Sequence, residues 1–154
     1  SDLDPAGAAQ FEANATAYKA ELQQLDHELR DALAKIPPKR RLLVTCEGAF
    51  SYLAQDYGFE EAYLWPVNAE SQVTPKRMAR LIATIRERAI PTIFCESTVS
   101  DKAQREVSAA AGARFGGSFY VDSLSEADGP AASLLDLQRH NVALIRRGLL
   151  EVQR

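Results

Sequence analysis

Four short segments place an acid directly behind an apolar run. Glu47 follows "LLVTC", Glu70 follows "AYLWPVNA", Glu96 follows "TIFC" and Asp122 follows "SFYV". Carboxylates are hard oxygen donors, and a group of them suits cations such as Mn²⁺ and Fe²⁺. Converging carboxylates repel one another unless a cation binds or one of them is protonated. Each acid also has a plain structural use. An acid in the first turn of a helix is worth about 0.3–1 kcal/mol against the helix dipole, and Ser or Asp before a helix is an ordinary cap. That use fits Glu70 and Glu96 best. Asp122 is different, because "SLSEADGP" behind it starts no clear helix, and Glu47 stands where a strand pattern turns into a helix pattern. Glu47 and Asp122 are therefore the candidate pair.

These acids need a frame that brings them to one edge. Asp4-Pro5 reads as a helix start. Behind it Phe11, Tyr18, Leu22, Leu25, Leu29, Leu33 and Ile36 recur at intervals of three, four and seven, the signature of an amphipathic helix. Pro37-Pro38 stops it. A helix of this length spans roughly 45 Å and is expected to act as a strut.

The period then changes. Residues 42–46, 61–67, 92–95 and 118–121 read as strands. Residues 48–57, 75–89, 100–112 and 131–150 read as helices, and Thr74-Pro75 supplies a cap and a first position. Strand and helix alternate at short loop lengths. The expected fold is α/β, a four-stranded parallel sheet with helices on both faces, preceded by the long backbone helix. Ligands of open parallel sheets bind beyond the carboxyl ends of the strands, and all four acids stand there.

Composition removes several classes of partner. The chain has 154 residues, a net charge of −3 and 25% charged side chains. An acidic chain lacks the basic footprint that nucleic acid or anionic membrane demands. No apolar run approaches the roughly 18 residues of a membrane span. Ser1 opens a polar segment without the character of a signal peptide, so an exported form is expected to have lost its leader.

Other chemistry can be weighed residue by residue. The alternative is an α/β enzyme using the strand-end carboxylates or Cys46, a candidate nucleophile at a strand-to-helix turn; the base for Cys46 would have to be His140, and no spacing supports that pairing. A Cys46–Cys95 bridge is geometrically demanding, so two free thiols are expected. Trp65 and Tyr63 at a strand end could line an interface, but core packing is the role expected of them. A receiver domain also gathers acids at strand ends, but it wants an Asp behind its third strand, where Cys95-Glu96 stands.

The segments "LLVTCEGAFSYLAQDYG", "YLWPVNAESQVTPKRM" and "PTIFCESTVSDKAQREVSAAAGARFGGSFYVDSLS" resemble the C-terminal lobe of the cluster A-I metal-binding proteins. These are the solute-binding components of ABC importers for manganese, iron and zinc, and the likeness is strongest to the manganese/iron branch of Gram-negative bacteria. The resemblance implies a binding protein of the periplasm, not an enzyme. One metal ion sits between two lobes as transported cargo, delivered to a membrane permease. Two histidines come from the N-terminal lobe and two ligands from the C-terminal lobe, here Glu47 in "TCEGAF" and Asp122 in "YVDSLS". Residues 1–38 correspond to the backbone helix joining the lobes and residues 39–154 to the C-terminal lobe. The N-terminal lobe and its histidines have no counterpart in this chain, and neither His27 nor His140 matches a family ligand. Two nitrogens and two carboxylates favour Mn²⁺ or Fe²⁺ in use, while Zn²⁺ outbinds both at most sites by the Irving–Williams order. Weak binding is expected of the isolated lobe.

Overall fold

A computed structural model describes residues 4–69, 71 and 73–150. The first helix, α1, runs Ala8–Ala34. Asp4 accepts from the Gly7 N–H at 3.1 Å and holds a turn ahead of it. Its apolar stripe divides in two. Leu25, Leu29 and Leu33, with Ile36 just beyond the helix, are buried, whereas Phe11 and Tyr18 stand 49% and 43% exposed. Only the C-terminal half of the helix has a core to lie on. Tyr57 donates to Asp26 at 2.9 Å and so ties that half to the next helix.

Four strands follow, β1 Leu42–Glu47, β2 Glu60–Trp65, β3 Thr92–Glu96 and β4 Arg114–Phe119, with helices α2 Ser51–Tyr57, α3 Pro75–Glu87, α4 Lys102–Ala111 and α5 Leu134–Leu150. β1 and β3 are buried along their whole length, as strands covered on both faces should be. Side chains alternate between the faces. On one face Thr92 and Phe94 of β3 meet α5: a Cβ on Gly148 would lie 2.7 Å from Phe94 and 2.9 Å from Thr92. On the other face α4 packs against β3 and β4, and α3 against β2. Phe119 stacks on Phe94 at 4.7 Å and meets Phe50 edge-on at 5.1 Å, which joins β4, β3 and the start of α2.

The sheet corrects the expectation of a single four-stranded ladder. β1 pairs with β2 and β3 with β4, both in parallel, as two two-stranded sheets. β1 and β3 lie side by side, but no ladder joins them among the described residues. Two contacts cross the seam at the strand ends. A disulfide links Cys46 to Cys95, with the Cα atoms 4.8 Å apart, and this also overturns the expectation of free thiols. Next to it the Glu47 N–H donates to the Glu96 carboxylate at 3.3 Å instead of to a backbone carbonyl. β4 also starts four residues earlier than the sequence pattern suggests. Its Gly116 looks like a loop residue in sequence, yet it serves packing, because a Cβ there would lie 2.5 Å from both Phe94 and Thr92.

Leu33→Ala is expected to cost about 2–5 kcal/mol as a buried cavity mutation, whereas Phe11→Ala should fall within about 0.5 kcal/mol of the parent. Urea unfolding of the two variants checks this. Equal losses would mean that the exposed half of α1 is packed in solution.

Candidate metal centre

Glu47 is the last residue of β1 and is 7% exposed. Behind it the chain turns sharply, with the Ala49 N–H donating to the Glu47 carbonyl at 2.9 Å. Gly48 makes room for this turn, since a Cβ there would lie 2.8 Å from the Tyr63 ring. The Glu47 side chain accepts from the backbone N–H of Asn68, in the loop after β2. Asn68 is left-handed at φ 58°, a conformation that few non-glycine residues adopt. One strand end thus presents a carboxylate, and the neighbouring strand end bends to hold it.

Asp122 comes from the far side of the sheet. The chain leaves β4 through Tyr120, and Asn141 of α5 clamps it from both directions. Asn141 accepts from the Tyr120 N–H at 3.0 Å and donates to the Tyr120 carbonyl at 2.9 Å. Two residues later Asp122 is also left-handed, at φ 52°, and exposed. Strained backbone of this kind gathers where function needs it. Ser97 and Ser123 hydroxyls meet at 3.1 Å and join the loops after β3 and β4.

Glu47 and Asp122 line one cavity of about 390 Å³, together with Trp65, Asn68, Ser71, Thr98 and Val99. The structure thus brings both candidate carboxylates to one opening, at the edge where the strand order predicts it. Both are oxygen donors on the same opening. Glu96 lies behind them and is 1% exposed. Its Oε2 accepts from Glu47 N, and its Oε1 has no partner among the described residues. Burial pushes its carboxyl up to about 8, and the nearby Glu47 charge adds to that, while the N–H donors work against it. Glu70 lies outside the described residues.

The remaining candidates lie elsewhere or are spent. Cys46 is bound in the disulfide and offers no thiol to act as a nucleophile. His140 packs edge-on against Tyr120 at 5.4 Å, and His27 is exposed on α1. Trp65 is buried, but Tyr63 is 40% exposed and covers Gly48 rather than filling the core. Sequence reasoning missed Asn141. Its signal was available, since it is a polar residue set between Leu137 and Ile145 on the apolar stripe of the last helix.

Residues 1–148 match the profile of a family described as zinc-uptake complex component A, periplasmic (ZnuA). The chain is 50% identical over 145 residues to the iron-binding protein YfeA of Yersinia pestis, covering 94% of this chain and 47% of that protein. It is 32% identical over 146 residues to the manganese ABC transporter substrate-binding lipoprotein PsaA of Streptococcus mitis, covering 95% and 47%. A Mn-bound periplasmic metal-binding protein from Candidatus Liberibacter asiaticus superposes with a TM-score of 0.87 at 40% identity, covering 96% of this chain and 55% of that one. The chain spans about half the length of the curated relatives it matches.

The raised Glu96 carboxyl sets a pH dependence. The folded chain holds that proton up to about pH 8, whereas the unfolded chain releases it near 4.5. Its contribution is therefore complete below pH 4.5 and is lost as pH rises towards 8. In metal-free chain, Glu96→Gln should flatten the fall in stability between these limits. Denaturant midpoints measured across that range check it, and an unchanged slope would show that Glu96 titrates normally.

Proposed function

This chain belongs to the family of periplasmic zinc-uptake component A proteins, and from that premise we propose that it is the C-terminal metal-holding lobe of a solute-binding protein of an ABC importer. The observation that carries the reading is the shared cavity of Glu47 and Asp122. The two carboxylates come from the ends of β1 and β4, and two left-handed residues, Asn68 and Asp122 itself, shape the opening. Glu47 and Asp122 are the metal ligands of this lobe. The cargo is Mn²⁺ or Fe²⁺, with Zn²⁺ as a competitor that the donor set does not reject.

Two carboxylates leave a divalent ion short of ligands. A second lobe supplies the rest, as imidazole nitrogens, across the opening that Glu47 and Asp122 face. Residues 1–38 are the helical connection to it, and residues 39–154 are the lobe itself. The loaded protein hands its ion to the importer's membrane permease. The disulfide fits work outside the cytoplasm, where such bonds persist, and the periplasm is the compartment proposed. Carboxylate ligands must be deprotonated to bind, so metal affinity falls as pH drops through the carboxylate range.

Titration calorimetry with Mn²⁺, Fe²⁺ and Zn²⁺, on this chain and on a two-lobed protein containing it, tests the reading. Tight binding is expected only from the two-lobed form. Glu47→Ala or Asp122→Ala in that form should weaken Mn²⁺ binding by orders of magnitude and leave the circular dichroism spectrum unchanged. Unchanged affinity removes the substituted residue from the site. Tight binding by the lobe alone would mean that it holds a full ligand set.

A further inference from the structure

The cavity wall contains a donor with no acceptor among the described residues. Trp65 is the one tryptophan of the chain. It is 1% exposed, and its indole Nε1–H has no hydrogen-bond partner among the described residues. Buried polar groups in folded proteins nearly always have a partner, so an orphan asks for an explanation. Trp65 is the register partner of Glu47 across the β1–β2 pair. The Gly48 N–H donating to the Trp65 carbonyl at 3.0 Å fixes that register. Partners in a ladder project to the same face, and both residues line the same cavity.

An indole N–H only donates and cannot ligate a cation. Its use in a metal centre must run through a ligand. An ionised carboxylate has about four acceptor positions. One Glu47 oxygen already accepts from Asn68 N, and further positions remain for a cation and a second donor. Ligating carboxylates are themselves held by hydrogen bonds from the surrounding protein. We propose that Trp65 is a positioning residue of this centre, whose Nε1–H donates to the Glu47 carboxylate when that carboxylate takes a cation. The inference rests on the reading of Glu47 as a ligand. It adds a cause, beyond packing, for a tryptophan at the strand end.

The ¹⁵N-labelled chain gives a single indole cross-peak, and Zn²⁺ is a diamagnetic probe. Zn²⁺ should move the indole proton downfield in a saturable way, and Glu47→Ala should abolish the movement. Trp65→Phe should lower Zn²⁺ affinity by about 10-fold in calorimetry, a change that a purely structural role would not produce if the melting temperature stays near the parent's. If Trp65→Phe fails to fold, the cross-peak in the parent and in Glu47→Ala decides alone. Zn²⁺ bound with the indole signal unmoved, or a movement that survives Glu47→Ala, overturns the role of Trp65 and leaves the carboxylate site standing. If this chain alone binds no Zn²⁺, Trp65→Phe in a two-lobed protein containing it decides: unchanged Zn²⁺ affinity overturns the role of Trp65, and no Zn²⁺ binding by the two-lobed parent overturns the carboxylate site with it.

Discussion

The seam between β1 and β3 governs the site. Parallel strands side by side normally share a ladder, and here the ladder stops. A disulfide and a buried carboxylate take its place. The Cys46–Cys95 bridge fixes the distance between the strand ends, and Glu96 receives the N–H that a neighbouring carbonyl would otherwise accept. The residue that supplies this N–H is Glu47. The first candidate ligand is thus set by the same two contacts that hold the halves of the sheet together. Because the bridge closes a span of 49 residues, it also restricts the unfolded chain, which links the stability of the lobe to the geometry of its edge.

The second carboxylate is placed by different means. Asp122 has no strand under it and is held through the chain that precedes it. Asn141 makes both hydrogen bonds to Tyr120, two residues before the candidate ligand. A helix buried against the sheet therefore sets the position of an exposed loop. Glu47 and Asp122 differ accordingly in burial, with one nearly enclosed and the other open to solvent. A cation meeting both would be bound on one side by a rigid group and on the other by an accessible one.

Much of this was legible in the residues. The alternation of strands and helices, the long first helix and the edge carrying Glu47, Glu96 and Asp122 all follow from apolar spacing and caps, because burial imposes those periods directly. What could not be read was the pairing across the seam. Whether Cys46 and Cys95 bond depends on a distance of a few ångström between residues far apart in the chain, and spacing alone does not encode it. The early start of β4 was hidden because Gly116 and Gly117 look like loop residues, although one of them is there to admit Phe94. The left-handed turns at Asn68 and Asp122 had only a weak signal, since Asn and Asp tolerate that conformation without announcing it. The ligand identities of Glu47 and Asp122 rest on family likeness more than on chemistry legible from the sequence, because an acid behind a strand serves equally well as a cap.

The split stripe of α1 has a mechanical consequence. The helix is rooted in the core by Leu25, Leu29, Leu33 and the following Ile36, while residues 9–21 are exposed. That exposed length is about 20 Å at 1.5 Å per residue, so the helix acts as a lever rooted in this lobe. A tilt of about 3° at the root moves the far end by about 1 Å over that length. Metal–ligand distances tolerate only about 0.2 Å of error. Any group carried at the tip must therefore be aligned with the sheet edge to within a degree or so, and small repacking around Leu25 and Leu29 would change that alignment without touching a ligand.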